Sequence, residues 1–169
     1  MRVLLTALIF SLISCVKFAE EKEDKLILPN MDEIFPFSSA DRVELTSYYF
    51  RDYRPENDNY KIIDGKLAFD ESIIKERVVL SKKQQEEMFK IVNTDICPKE
   101  YSVADCYMPE HRITFYDKKN NVIAYLEVCL QCVGSRISPN FTTVPLCKEK
   151  MDELKRFFQS VGIKQFSEM

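Results

Sequence analysis

The stretch from Cys106 to Cys132 constrains the fold more than any other part of the chain. Apolar and polar residues alternate in two runs, 111–116 and 122–129, separated by the Asn- and Asp-containing segment 117–121. A period of two is typical of strands with one buried face, and Asn and Asp tolerate the left-handed backbone of tight turns. The stretch is therefore predicted to be a β-hairpin. Its core face is predicted to carry Ile113, Phe115, Ala124, Leu126 and Val128.

Two registers of this hairpin fit the sequence. A four-residue loop over 118–121 sets Arg112 opposite Glu127, whereas a two-residue turn at 120–121 shifts one strand along the other. Both registers place Arg112, Glu127 and Cys129 on the face opposite the core. We expect this second face to be exposed. An exposed cross-strand ion pair contributes only about 0.2–1 kcal/mol, so the Arg112–Glu127 pair is interpreted as structural.

The N-terminus carries a short leader. Arg2 precedes the apolar run 3–13, which is too short to span a bilayer, and the run ends in Leu12-Ile13-Ser14-Cys15. This motif resembles a bacterial lipobox, in which leucine lies three residues before the cysteine and a small residue lies one before it. The resemblance implies that residues 1–14 are a signal peptide and that the Cys15 sulfur carries a diacylglyceryl group, with acyl chains such as palmitate.

An ordinary secretory signal with a chance cysteine is the alternative interpretation of the leader. Its cleavage site would have to lie nearby, and Ala19 fits poorly because Lys17 stands where a small residue is wanted. We therefore expect a lipoprotein. At about 0.8 kcal/mol per buried methylene, several acyl chains would attach it firmly to a membrane.

The residues after Cys15 indicate in which membrane the protein is anchored. Val16 stands where an aspartate would retain an enteric-type lipoprotein in the inner membrane. We expect a protein of the bacterial cell envelope, anchored in the outer membrane at its periplasmic face or at the cell surface. Residues 15–40 are predicted to be the lipidated cysteine and a charged tether, with apolar side chains near its end docked onto the domain. The charged run 17–24 resembles the acidic tether of some surface-exposed bacterial lipoproteins, and a solvated linker is the alternative.

Residues 41–169 are predicted to form a single α+β domain. Strands are expected at 41–53 and 72–80, and a short hairpin is expected around Asp64-Gly65, a favoured turn pair. A capping box at Ser81 begins the first helix, and Gly162 ends the last helix, 148–161. The order of strands, helix, hairpin and helix favours an antiparallel sheet with two helices packed on one face.

The cysteines are candidates for structural disulfides. The chain has six cysteines, and lipid occupies one of them in this interpretation. Export favours oxidation, and the remaining five allow at most two intramolecular disulfides, whose pairing the sequence leaves open. Cys97 and Cys106 flank one loop, whereas Cys147 could join the last helix to the hairpin. The five candidates are Cys97, Cys106, Cys129, Cys132 and Cys147.

Two alternatives for the same cysteines are a zinc site and a redox pair. Cys129 and Cys132 have the C-x-x-C spacing of one zinc hook, and His111 is a candidate fourth ligand, but a second hook is missing. The interpretation we prefer for His111 is a residue at the edge of the core with a backbone partner, because it has the same parity as Ile113 and Phe115. Thiol–disulfide exchange would require a depressed thiol pKa, and the residues after Cys132 do not have the pattern of a helix that would supply it.

Composition excludes some classes of function. A net charge of −3 without a basic cluster disfavours nucleic acid as a partner. With one histidine and no Gly-x-Ser-x-Gly elbow, a hydrolase is disfavoured, and no catalytic residue or cofactor is assigned apart from the zinc alternative. We expect a non-enzymatic module that binds an envelope protein or a small ligand. Its candidate contact residues are Tyr48, Tyr49, Tyr53, Tyr60 and Tyr107.

Overall fold

The structure is a computed structural model, and it describes residues 28–49, 61–100, 102 and 107–166. The predicted leader, Cys15, most of the tether, Tyr53, Tyr60 and Cys106 lie outside the described residues. The described helices and strands are β1 (Arg42–Tyr48), β2 (Ile62–Ile63), β3 (Lys66–Leu67), β4 (Ile74–Val79), α1 (Lys82–Asn93), β5 (His111–Tyr116), β6 (Val122–Cys129), β7 (Gly134–Ile137) and α2 (Lys148–Ser160).

The main sheet has five antiparallel strands in the order β4-β1-β5-β6-β7, and β2 and β3 form a separate hairpin. The predicted α+β class is confirmed. Apolar side chains from both helices pack with one face of the sheet, as the hairpin pattern and the helical stripes indicate. The predicted core face of β5 and β6 is confirmed, because all five of its residues are buried: Ile113, Phe115, Ala124, Leu126 and Val128.

The β5–β6 register is the one expected from a longer loop. Arg112 faces Glu127 and Ile113 faces Leu126, with an irregularity between Phe115 and Tyr116 that lengthens the connection. Within the connection, the Asp117 carboxylate accepts backbone N–H bonds from Lys119 and Asn121. These bonds explain the turn, and they hold the pKa of Asp117 below its usual value.

The packed part of the chain begins before β1. Phe37 lies in the core and makes edge-to-face contacts with Phe89, Phe115 and Phe141. Ile34 and Phe35 pack against the same cluster, so the docking expected of these residues is observed. The last residues of the segment assigned to the tether therefore contribute to the core.

The end of α1 is tied to the start of α2 in two ways. Cys97 and Cys147 lie at disulfide distance, with Cα atoms 5.6 Å apart. Beside them, the fully buried Lys150 donates to the Val92 carbonyl at 3.2 Å. Burial lowers the pKa of Lys150 to about 8, and Asp95 and Glu153 partly oppose the shift. The ammonium therefore satisfies a carbonyl at the C-terminal end of α1, where positive charge is favourable.

The segment after α2 crosses one end of the sheet and is held there by hydrogen bonds. The Glu76 carboxylate accepts backbone N–H bonds from Lys164 and Gln165 and a hydroxyl bond from Ser47. Desolvation raises the pKa of Glu76, but these bonds outweigh it, and the net pKa lies below its usual value. Glu76 therefore anchors the C-terminal segment to the edge strand β4 as a carboxylate.

Candidate functional site

A row of charged side chains crosses the face of the sheet opposite the helices. In successive strands β4, β1, β5, β6 and β7, the directly paired residues are Arg77, Thr46, Arg112, Glu127 and Arg136. Residues paired across strands point to the same face. The row therefore places three guanidinium groups on this second face, although the whole chain is acidic with a net charge of −3.

The centre of this row is a buried ion pair. The side chains of Arg112 and Glu127 are 2% and 0% exposed, which corrects the expectation of an exposed pair. Glu127 accepts hydrogen bonds from Arg112 Nε at 3.2 Å, from the Tyr48 hydroxyl at 2.8 Å and from the Tyr107 hydroxyl at 3.1 Å. A buried charge is tolerated when it is paired and its lone pairs are satisfied. Glu127 therefore holds Arg112 in one orientation.

The hairpin β2–β3, with the residues up to Phe69, forms a flap over the second face. At its base, the centre of the Phe69 ring lies 3.7 Å from the Arg112 guanidinium carbon, which is a cation–π contact. At its tip, the Val122 N–H donates to the Gly65 carbonyl at 2.7 Å. The predicted Asp64-Gly65 turn is confirmed, and both residues have positive φ.

Glycine is required at the tip of the flap. Gly65 has a φ of +71°, and a Cβ atom placed there would lie 2.6 Å from the Asn121 side chain. No larger residue fits without moving either the flap or the β5–β6 connection. The tip of the flap therefore packs directly against the main sheet.

A cleft of about 380 Å³ lies between the flap and the sheet. This volume is at the lower end of the range for small-molecule sites. Part of the lining is apolar, from Leu67 and Phe69 of the flap and from Ile74 and Val122 of the main sheet. Polar groups line the remainder, from Thr46, Lys66, Glu71, Arg77, Arg112, Thr114, Tyr116 and Asn120.

An ion network adjoins the cleft. Arg77 pairs with Glu44 and, at 2.8 Å, with Glu71. Glu44 also pairs with Arg42 and accepts a hydrogen bond from the Tyr116 hydroxyl at 3.2 Å. The Arg42 guanidinium lies 3.7 Å from the centre of the Tyr116 ring. These contacts fix the orientation of the polar side chains next to the cleft.

Cys129 and Cys132 lie at the opposite end of β6 from the cleft and close the β6–β7 turn. Their Cα atoms are 5.5 Å apart, at disulfide distance, and both side chains are buried. The residues that follow form strand β7 rather than a helix, so no helix N-terminus lies next in sequence to stabilise a thiolate. Cys147 pairs with Cys97 and not with either of these cysteines. Thiol exchange at this pair stays a prediction.

His111 lies at the edge of the core, away from the cleft. Its Nε2 lies 2.9 Å from the Gln165 carbonyl, so this nitrogen carries the proton and donates, while the buried Nδ1 has no hydrogen-bond partner among the described residues. The ring packs in tilted contacts with the Phe158 and Phe166 rings. Over the same residues, no three His, Cys, Asp or Glu side chains are grouped to hold a metal ion. Cys106 lies outside the described residues, so a zinc site that includes it stays a prediction.

Acid is expected to destabilise the protein through His111. Burial lowers the pKa of His111 below its ordinary 6.5, against the opposing effects of Gln165 and Glu110. As the pH falls from 7 to 5 the unfolded chain takes up a proton at this residue before the folded chain does, so the free energy of unfolding should fall, by no more than about 1.4 kcal/mol per pH unit. Urea unfolding at both pH values measures the change.

His111→Gln is the control for this pH dependence, because it keeps an N–H donor and cannot be protonated in this range. Glu76 titrates below the window, since its pKa is lowered from 4.5. An equal pH dependence in the variant and the unmodified chain would contradict the assignment to His111.

The tyrosines expected as contact residues have structural roles where they are described. Tyr48 and Tyr107 donate to Glu127, and Tyr48 is fully buried. Tyr49 lies under Lys75, whose Nζ is 5.4 Å from the ring centre.

The cleft was not found from the sequence, because its lining comes from five strands that have no shared motif. Only the alternation on the second face, with Arg112 and Glu127, pointed toward it.

Comparison of the chain with protein-family models, with curated proteins and with solved structures found no match. In the part of the chain that the structure describes, no helix is both long enough and apolar enough to cross a bilayer. Function is therefore inferred from the cleft and from the N-terminal motif.

Proposed function

We propose that this protein is a lipid-anchored bacterial envelope protein whose α+β domain binds a small ligand in the cleft under the flap, without catalysis. The observation that carries the proposal is the cleft itself. It combines apolar side chains with oriented polar groups, the composition typical of small-molecule sites. The groups that face it are preorganised by the ion pairs around Glu44 and Glu127, which lowers the ordering cost of binding.

Support for the anchor comes from the leader. Leu12 lies three residues before Cys15 and Ser14 lies one before it, and this spacing resembles the lipobox. Labelling with a fatty-acid analogue in a bacterial host tests this part separately. Incorporation into the unmodified chain that is lost in Cys15→Ala supports the anchor, whereas equal labelling of both contradicts it.

The binding proposal is tested by a fragment screen on the full chain in detergent micelles, read by two-dimensional amide NMR. The screen should include neutral, anionic and cationic fragments. We expect some of them to shift resonances of cleft residues, with Leu67 and Thr114 as reporters on the two sides. Shifts confined to other surfaces, or no shifts in the cleft from any fragment, would contradict the proposal.

Thr114→Phe is the matched blocking variant. Thr114 is buried and lines the cleft, so a larger ring there should fill it and abolish fragment binding. Thr142 is exposed and is not a lining residue, so Thr142→Phe should leave binding unchanged. Retained binding in Thr114→Phe, with the fold intact by NMR, would place the fragments elsewhere.

A further inference from the structure

We infer that the ligand of the cleft is an amphipathic monoanion, with one negatively charged group such as a carboxylate carried on a compact apolar body. This inference rests on the proposed function and names the chemistry of its ligand. Three features of the lining carry it: the apolar side chains, the commitment of the two arginines to carboxylates, and one lysine without an ion-pair partner.

The apolar part of the lining sets the body of the ligand. Leu67 and Phe69 of the flap face the cleft together with Ile74 of β4 and Val122 of β6. Burying apolar ligand surface against such side chains contributes about 25 cal/mol per Å² removed from water. The modest volume of about 380 Å³ limits this body to a short chain or a single ring.

The two arginines of the lining are already neutralised by protein carboxylates. Arg112 is paired with Glu127, and Arg77 is held between Glu44 and Glu71. A ligand anion bound to either guanidinium would approach these carboxylates and would be repelled by them. The arginines therefore supply hydrogen-bond donors and shape, but they do not supply a free positive charge for a second or third anionic group.

Lys66 supplies the single uncompensated charge. It is exposed on strand β3, lines the cleft, and forms no ion pair with any other described residue. The Thr114 hydroxyl lies on the opposite side of the cleft and makes no hydrogen bond within the same set of residues. One ammonium and one hydroxyl match a single carboxylate, which accepts hydrogen bonds from both types of donor.

Matched acids and amides test the charge. The full chain in detergent micelles is titrated with hexanoate and 4-phenylbutyrate, and with the corresponding neutral amides, up to about 10 mM while the cleft resonances are followed by NMR. We expect both acids to bind in the cleft, each about 5-fold or more tighter than its amide. Lys66→Gln should remove this preference. Lys83→Gln on α1, exposed and distant in the fold, is the control.

The outcomes separate this inference from the proposed function. Amides that bind as tightly as the acids, or an acid preference that survives in Lys66→Gln, would overturn the monoanion while the cleft remains a binding site. Absence of acid binding would also overturn it, and the proposed function would then be decided by the fragment screen. Binding of the acids that persists in Thr114→Phe would show that they bind outside the cleft.

Discussion

Replacing Glu127 with glutamine is expected to lower the free energy of unfolding by about 3–5 kcal/mol, because it leaves a buried charge without its partner. The Glu127 side chain is completely buried and compensates Arg112, which is 2% exposed. Glutamine keeps the shape, but it removes the negative charge and one of the two oxygens that accept from Tyr48 and Tyr107. Urea unfolding of the full chain at pH 7 measures the loss.

The double variant Arg112→Met/Glu127→Gln separates charge from packing. It removes both charges and carries the same glutamine, with one acceptor oxygen in place of the two that bind Tyr48 and Tyr107, so it should be more stable than Glu127→Gln alone, although it lacks one more native side chain. A double variant as unstable as the single one would show that the loss does not arise from the uncompensated guanidinium. A single variant that loses less than about 1 kcal/mol would contradict the burial of the pair.

Removing the link between α1 and α2 is expected to have an effect of similar size. Cys97 and Cys147 are separated by 50 positions. A disulfide that closes a loop of this length lowers the conformational entropy of the unfolded chain, which stabilises the folded state by about 4 kcal/mol. Cys97→Ala/Cys147→Ala should therefore show a correspondingly lower free energy of unfolding in urea under non-reducing conditions.

The pair at the β6–β7 turn is the matched control for this measurement. Cys129 and Cys132 are separated by only 3 positions, so the same reasoning gives about 2 kcal/mol for Cys129→Ala/Cys132→Ala. Equal losses in the two double variants would contradict the dependence on loop length. A larger loss at the short turn would indicate that these buried sulfurs stabilise mainly by packing.

Local patterns in the sequence were sufficient to predict most elements of the fold. The capping box at Ser81 is formed, with Ser81 and Gln84 bonded to each other's backbone N–H groups, and the left-handed Gly162 follows α2. Strand β7 was missed, because Gly134-Ser135-Arg136-Ile137 has no clear alternation and is defined only by its pairing with β6. Patterns within one element are visible in a sequence, whereas pairing of a polar edge strand is not.

The candidate site could be predicted only in part. Alternation correctly placed Arg112 and Glu127 on the second face, but it gave no sign that the face is covered. The cover is the flap with Phe69, which lies more than forty positions earlier in the chain and reaches Arg112 only in the folded protein. The pairing of Cys97 with Cys147 is non-local in the same way, because the sequence allowed several partners for each cysteine.

The ion pair beneath the flap also limits how this protein can evolve. Loss of either charge alone would consume a large part of the few kcal/mol by which domains of this size are stable, so single replacements at Arg112 or Glu127 should be removed by selection. Changes that neutralise both positions together avoid the uncompensated charge. In descendants of a common ancestor, positions 112 and 127 are therefore expected to covary, while the apolar side of the same strands drifts through one conservative exchange at a time.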